Sequence, residues 1–221
     1  MAKTQSKGKC SFCGSTFTNA GMARHVGPCR EKMLSKGTAG PKASFYHVAV
    51  KGRYLPEYWM HLELRADATL GDLDAFLRET WLECCGHLSA FSIGDTQYMP
   101  TDDTELDAEN MDIPLNQVLQ PGMSFRHEYD FGTTTELSLK VISQWEGART
   151  RAAVRVLARN DPPVIACQAC GKPATQVCAE CVYAGEGWLC GECAKNHDCG
   201  EEMLLPVVNS PRVGMCGYTG D

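Results

Sequence analysis

"TLGDLDAFLRETWLECC" runs from Thr69 to Cys85, and its apolar residues Leu70, Leu73, Leu77 and Trp81 recur at helical spacing. Thr69 is a natural N-cap. Asp72, three residues on, completes a capping-box pattern, so a helix starts here. The segments on either side alternate instead. Met60, Leu62 and Leu64 share a face of one such segment; so do Phe125, His127, Tyr129 and Phe131, and again Leu137, Leu139 and Val141. Period two marks half-buried strands. His47 and His61 fall in strands of this kind and are expected to face solvent or a partner. Strands, a helix and more strands make this body α+β: a mixed sheet with one main helix across it, in a β-grasp-like arrangement.

Composition breaks the chain on both sides of that body. "SKGTAGPKAS" (Ser35–Ser44) is small, polar and Gly/Pro-containing, as a linker is. "RNDPPV" (Arg159–Val164) ends the body, because successive prolines continue neither a helix nor a central strand. The expected organisation is a head at 1–35, a linker at 36–43, a body at 44–160 and a tail at 164–221. No apolar run reaches the roughly 18 residues a membrane helix needs, and the N-terminus lacks the apolar stretch of a secretory signal. The expectation is a cytoplasmic protein with reduced thiols, in which paired cysteines mean metal. An odd total of thirteen cysteines also argues against a closed disulfide framework.

The head reads "KCSFCGSTFTNAGMARHVGPCR". Cys10 and Cys13 form a C-x2-C knuckle, and His25 and Cys29 follow as H-x3-C. Zinc takes four such ligands in a tetrahedron. Phe17 and Met22 supply the two core side chains that a small finger needs, and metal supplies its folding energy, on the order of 10–16 kcal/mol. The pattern resembles the ββα zinc finger, with Cys29 in place of the last histidine. Gly27-Pro28 is expected to end its helix early. Residues 1–43 carry eight Lys/Arg against one acid, while the remainder carries thirteen against twenty-six. A basic head on an acidic body suggests an anionic partner such as nucleic acid. Asn19 and Arg24 are the candidate base readers on the presumed helix.

The tail "CQACGKPATQVCAECVYAGEGWLCGECAKNHDC" (Cys167–Cys199) holds seven cysteines, six of them in three C-x-x-C pairs. Nineteen residues separate the first pair from the third, a spacing that suits two knuckles on one metal. The interleaved assignment puts Cys167, Cys170, Cys190 and Cys193 on one zinc, and Cys178, Cys181, His197 and Cys199 on another. A sequential assignment would instead group Cys167, Cys170, Cys178 and Cys181. Cys216 competes with Cys199 for the last position. The pattern resembles a B-box-type cross-brace, which implies a protein-interaction role. With the head, three zinc ions are expected.

The body carries a further resemblance. Thr69, Leu70, Leu73, Trp81, His87, Leu88, Phe91 and the run Tyr129–Gly132 match motifs of the plasmid pRiA4b ORF-3-like family of bacterial proteins. Where many members continue with Asp and Trp-x-His, this chain has Thr133, Thr135 and Leu137. The resemblance implies no settled activity. Some members travel with mobile elements and are labelled resolvase-like, but no serine-recombinase constellation is present here.

Other signals have plainer readings. "DFG" at Asp130–Gly132 reads as a turn between strands, with Gly132 supplying the unusual backbone angle. The acidic "TDDTELDAENMD" (Thr101–Asp112) lacks the glycine and glutamate of a calcium loop. Cys84, Cys85 and His87 read first as buried thiols and a capping histidine, and second as a reactive or metal-binding cluster. The function expected from this inventory is a non-enzymatic zinc-binding adaptor. It would contact nucleic acid through the head, a protein through the tail, and no membrane. The alternative is an enzyme with its site on the body near His87 and Asp130.

Overall fold

The computed structural model describes residues 6–34, 41–100 and 108–220. Most of the Ser35–Ser44 linker (35–40) and the first part of the acidic stretch (101–107) lie outside them. The described chain runs β1 (Lys7–Cys10), β2 (Thr16–Thr18), α1 (Asn19–Leu34), β3 (Lys42–Gly52), β4 (Trp59–Arg65), α2 (Leu70–Leu77), β5 (Ser89–Ile93), β6 (Thr96–Met99), β7 (Glu109–Asn110), α3 (Leu115–Val118), β8 (Ser124–Tyr129), β9 (Thr135–Ala148), β10 (Val154–Asn160), β11 (Gln176–Cys178), β12 (Trp188–Leu189), α4 (Gly191–Ala194) and β13 (Leu204–Pro206).

The fold is α+β, built on one ten-stranded sheet in the order β2-β1-β10-β4-β3-β9-β8-β5-β6-β7. Neighbours are antiparallel except β6 and β7, so the sheet is mixed but mostly antiparallel. The helix at Thr69 forms where its capping box calls for it. The Thr69 hydroxyl accepts from the Asp72 N–H at 3.1 Å, and the Asp72 carboxylate accepts from the Thr69 N–H at 2.9 Å. Leu70, Leu73, Leu77 and Trp81 are fully buried in the main core. After Leu77 the helix widens into a π-turn, Arg78–Leu82, and His127 Nε2 on β8 meets Asp74 Oδ1 at 2.7 Å.

This is not the sole main helix, however. α1, sixteen residues long, is longer and belongs to the head. It continues through Pro28 rather than ending there. The lost backbone bond of a proline is outweighed because the turn beyond it is fixed by tertiary contacts: Cys29 lies in the head's cysteine–histidine group, and Arg30 reaches Glu63 on β4.

The head's first strand is part of the body's sheet. β1 pairs with β10, placing Gly8 opposite Asn160 and Cys10 opposite Ala158. A Cβ on Gly8 would sit 2.0 Å from the Arg159 carbonyl oxygen, so this close approach needs glycine. Lys42 to Ser44, read as the end of the linker, open β3.

Because α1 lies over one face of the sheet, β4 is buried on both. Met60, Leu62 and Leu64 enter the main core with α2, while Trp59 joins Met22 and Val26 of α1 in a second core. His61 and Glu63 are buried on that second side too. The tail packs on the main core through Val177 of its small sheet, β12-β11-β13, and through Val213 in the segment after it. The turn between β8 and β9 takes its left-handed residue at Asp130 (φ 65°), not at Gly132. That turn ends the alternation early, so Phe131 emerges half exposed instead of sharing the buried face.

Candidate metal centres

Cys10 ends β1, Cys13 sits in the turn after it, and His25 and Cys29 stand one turn apart on α1. Four residues apart on a helix means the same face. Their four ligand atoms all lie within 4.8 Å of one another, with Cys13 Sγ 3.3 Å from His25 Nε2 and Cys10 Sγ 4.0 Å from Cys29 Sγ. A tetrahedral zinc, with bonds of about 2.3 Å to sulfur and about 2.0 Å to nitrogen, needs donors about 3.5–3.8 Å apart. Phe17 stacks on the His25 ring at 4.2 Å and Met22 is fully buried.

The tail thiols fall into the two interleaved sets. Cys167, Cys170, Cys190 and Cys193 form one, with Cys170 Sγ 3.6 Å from Cys190 Sγ. Cys178, Cys181, His197 and Cys199 form the other, with Cys181 Sγ 3.6 Å from both His197 Nε2 and Cys199 Sγ. Cys216 takes no part in either set. It lies 129 residues along the chain from His87, beside that histidine, Cys84 and Cys85.

Crowded thiols do not ionise alike. Hydrogen bonds from Ser15 lower Cys13 to about 6, whereas burial, with Cys13 and Cys10 alongside, pushes Cys29 up to about 12. In the tail, the Cys190 backbone lowers Cys167 to about 6, and hydrogen bonding to Cys170 and Cys190 pushes Cys193 up to about 12. The same crowding by Cys178 and Cys199 raises Cys181 to about 12. A divalent cation would displace the retained protons and neutralise the crowding, which is how thiol sites couple metal binding to proton release. All three groups could hold a metal ion on four protein donors.

The candidate base readers fare differently. Asn19 Oδ1 is 2.9 Å from His61 Nε2, so this side chain is occupied inside the protein. Arg24 stays exposed. Arg30, one of the head's cations, is buried against Glu63 at 3.2 Å and lies 4.6 Å over the Trp145 ring. His47 and His61 do not face solvent. Both are fully buried, with His47 Nε2 2.8 Å from His61 Nδ1, because α1 covers that face. Burial, and for His47 the neighbouring His61 as well, lowers His47 to about 3 and His61 to about 4.

His87 and Asp130 are close, with Nε2 and Oδ2 3.4 Å apart. Asp130 is nevertheless engaged through both oxygens. Its Oδ2 accepts from Arg212 at 2.7 Å and its Oδ1 from the Gly132 and Thr133 N–H groups. Burial pushes its pKa up, but Arg212 and these N–H groups outweigh it and hold the carboxyl below the usual range.

A groove of about 710 Å³ opens between α1 and the uncovered part of the sheet. Ala20 and Ala23 of α1 form one wall, and Lys51, Arg126 and Lys140 rise from the strands. Ser138 pairs with Lys51 on one side and Arg126 on the other, and Lys140 pairs with Ala49 and Ser124. The three cations therefore stand among small residues. They are exposed, and among the described residues none makes an ion pair. Sequence reading, which placed the positive charge on the head, missed this groove. Its only signal was Lys or Arg alternating with small residues on three strands.

No family model matches the chain, and no curated protein matches it. Among solved structures, it is similar to a crystal structure of the protein of unknown function MM3350 from Methanosarcina mazei Go1, at 14% identity over 52% of this chain and 68% of that one, with a TM-score of 0.46. Likeness at that level carries neither a fold assignment nor a function. No helix among the described residues is long and apolar enough to cross a membrane.

Proposed function

We propose that this protein is a non-enzymatic, zinc-organised adaptor that holds nucleic acid in the groove between α1 and the sheet. The observation that carries the partner is the set of three unpaired cations, Lys51, Arg126 and Lys140, facing one groove. Basic side chains in a groove whose lining holds no acidic residue are an electrostatic footprint for phosphate. Among the described residues no exposed aromatic lines the groove, so backbone contact is favoured over base stacking. The non-enzymatic part rests on the donor sets. Three groups with four protein donors each leave a zinc ion no open position for substrate.

Zinc holds the head in this reading, and α1 forms one wall of the groove, so metal and partner binding are linked. The tail cross-brace would serve protein contact, as its B-box-like pattern implies. Membership of the plasmid pRiA4b ORF-3-like family rests on the quoted motifs. The enzyme alternative is disfavoured because both Asp130 oxygens are already engaged, by buried Arg212 and by two backbone N–H groups, which hold it as a structural carboxylate.

The test is fluorescence anisotropy of the zinc-loaded protein with short DNA and RNA at several salt concentrations, beside the triple variant Lys51→Glu, Arg126→Glu and Lys140→Glu. Affinity is expected to fall steeply with salt, and the variant to lose binding. Each phosphate contact removed should flatten the log–log salt slope by about 0.7–0.9. Equal binding by both proteins, or none by the wild type, overturns the reading.

A further inference from the structure

We propose a fourth zinc site, formed by Cys84, Cys85, His87 and Cys216, that latches the C-terminal segment to the body. The four ligand atoms lie within 4.8 Å of one another. Cys84 Sγ is 3.6 Å from Cys85 Sγ, Cys85 Sγ is 2.9 Å from His87 Nε2 and 3.8 Å from Cys216 Sγ, and His87 Nε2 is 3.3 Å from Cys216 Sγ. These separations, 2.9–3.8 Å, overlap the 3.3–4.0 Å of the head and tail groups and reach the tetrahedral requirement. Three thiols and one imidazole suit a borderline-soft divalent cation, and zinc first. With this group counted, the four sets use all thirteen cysteines of the chain and leave none over.

Three independent features support the site. The first is the framework that shapes the Cys84–His87 loop. The Tyr129 hydroxyl accepts from the N–H groups of Cys84 and His87, both at 3.3 Å, and donates to Glu83 at 2.9 Å. Glu83 in turn accepts from the Gly86 N–H at 2.6 Å and from Arg78 at 2.7 Å. The loop is thereby wrapped around one phenol, with its donors aimed to one side.

The second feature is backbone strain. Among the described residues only two other than glycine have positive φ, Asp130 at 65° and Cys216 at 46°. Both are at this place. Asp tolerates that conformation, but for cysteine it is uncommon and persists where surrounding structure over-determines it. A ligand bond from Cys216 would be such a constraint.

The third feature is the outer layer. Arg212 is fully buried four residues before Cys216, and its guanidinium reaches both Asp130 at 2.7 Å and Cys84 Sγ at 3.4 Å. A buried cation beside a thiolate-rich zinc site balances its charge and fixes its ligands. Arg212 also donates to the Thr133 carbonyl and to the Thr135 hydroxyl, while Ser210 donates to the Trp81 carbonyl at 2.6 Å. The segment carrying Cys216 is therefore already seated against the body, and the metal would close it. His87 gains a defined role here, since its Nε2 turns toward the thiols of Cys85 and Cys216.

Metal analysis of full-length protein purified without chelator tests the proposal. Four zinc ions per chain are expected for the wild type and three for Cys216→Ser. Cys85→Ser, at an exposed side chain, should also give three, and covers the case in which Cys216→Ser does not fold. Cobalt substitution adds a second readout, because loss of one three-sulfur, one-nitrogen site should remove about a third of the spectrum contributed by such sites. Three zinc ions in the wild type, unchanged in Cys85→Ser, overturn the proposal. So does a disulfide among Cys84, Cys85 and Cys216 in native protein that carries three zinc ions.

Discussion

Glu63 offers a sharp test of how the head is joined to the body. Its carboxylate is buried in the middle of β4, accepting from Arg30 of α1 at 3.2 Å, from Arg155 at 2.6 Å and from the Trp145 indole at 3.0 Å. Arg30 and Glu63 have side-chain exposures of 9% and 2%, so little water screens this pair. At an effective dielectric constant of about 20, charges this close attract by about 5 kcal/mol, and desolvation cancels much of it. Glu63→Gln removes the attraction but leaves Arg30 buried. Breaking one side of a buried pair costs about 3–5 kcal/mol. Arg155 is 46% exposed and can turn to water, which puts the expectation at the lower end, about 3 kcal/mol. Adding Arg30→Met should recover most of the loss, since it removes the buried charge left unpaired, while residue 63 keeps the Trp145 and Arg155 donors. The assay is urea unfolding of zinc-loaded protein followed by tryptophan fluorescence, with Trp145 as the local reporter. A loss below about 1 kcal/mol for Glu63→Gln, or no rescue by Arg30→Met, would refute the argument that this ion pair holds α1 to the sheet.

Three further outcomes are expected. Thr69→Ala should destabilise the protein by about 1 kcal/mol through loss of the capping box, read as a lower urea midpoint at unchanged slope. His47 and His61 are held neutral in the folded protein, with folded values of about 3 and about 4. The unfolded chain therefore binds more protons below about pH 6.5, and stability should fall as pH drops from there toward 4, by up to about 2.7 kcal/mol per unit for the two together. At a fixed excess of zinc, His47→Phe should roughly halve that slope, and an unchanged slope would assign the acid sensitivity elsewhere. Stripping zinc with a chelator at neutral pH should unfold the head and tail together with loss of partner binding, both restored by added zinc. Binding that survives complete metal removal would separate metal from function.

The most legible parts of the chain were those whose signal is local. Thr69 and Asp72 announced the start of α2, and the x2 spacings of the knuckles announced which cysteines could share a metal. What lay hidden depended on partners distant in sequence. His61 and Glu63 alternate with leucines, as residues on a solvent-facing side do, yet α1 covers them; a sheet with polar residues on one face gives no hint that a helix will dock there. Pro28 read as a stop because the contacts that carry α1 past it, through Arg30 to Glu63, come from β4. Cys216 could not be assigned from spacing, since its neighbours Cys84, Cys85 and His87 lie about 130 residues earlier. The groove was hidden for a related reason: Lys51, Arg126 and Lys140 become neighbours only through the register of β3, β9 and β8.

Ultraviolet crosslinking of the zinc-loaded protein to a short oligonucleotide, followed by mass spectrometry of the linked peptides, tests the central claim most directly. Crosslinks should fall on residues 49–53, 124–126 and 138–142 and on the Ala20–Ala23 face of α1, and should disappear in the Lys51→Glu, Arg126→Glu, Lys140→Glu variant. Crosslinks confined to the tail, or the same crosslinks in wild type and variant, would contradict the account.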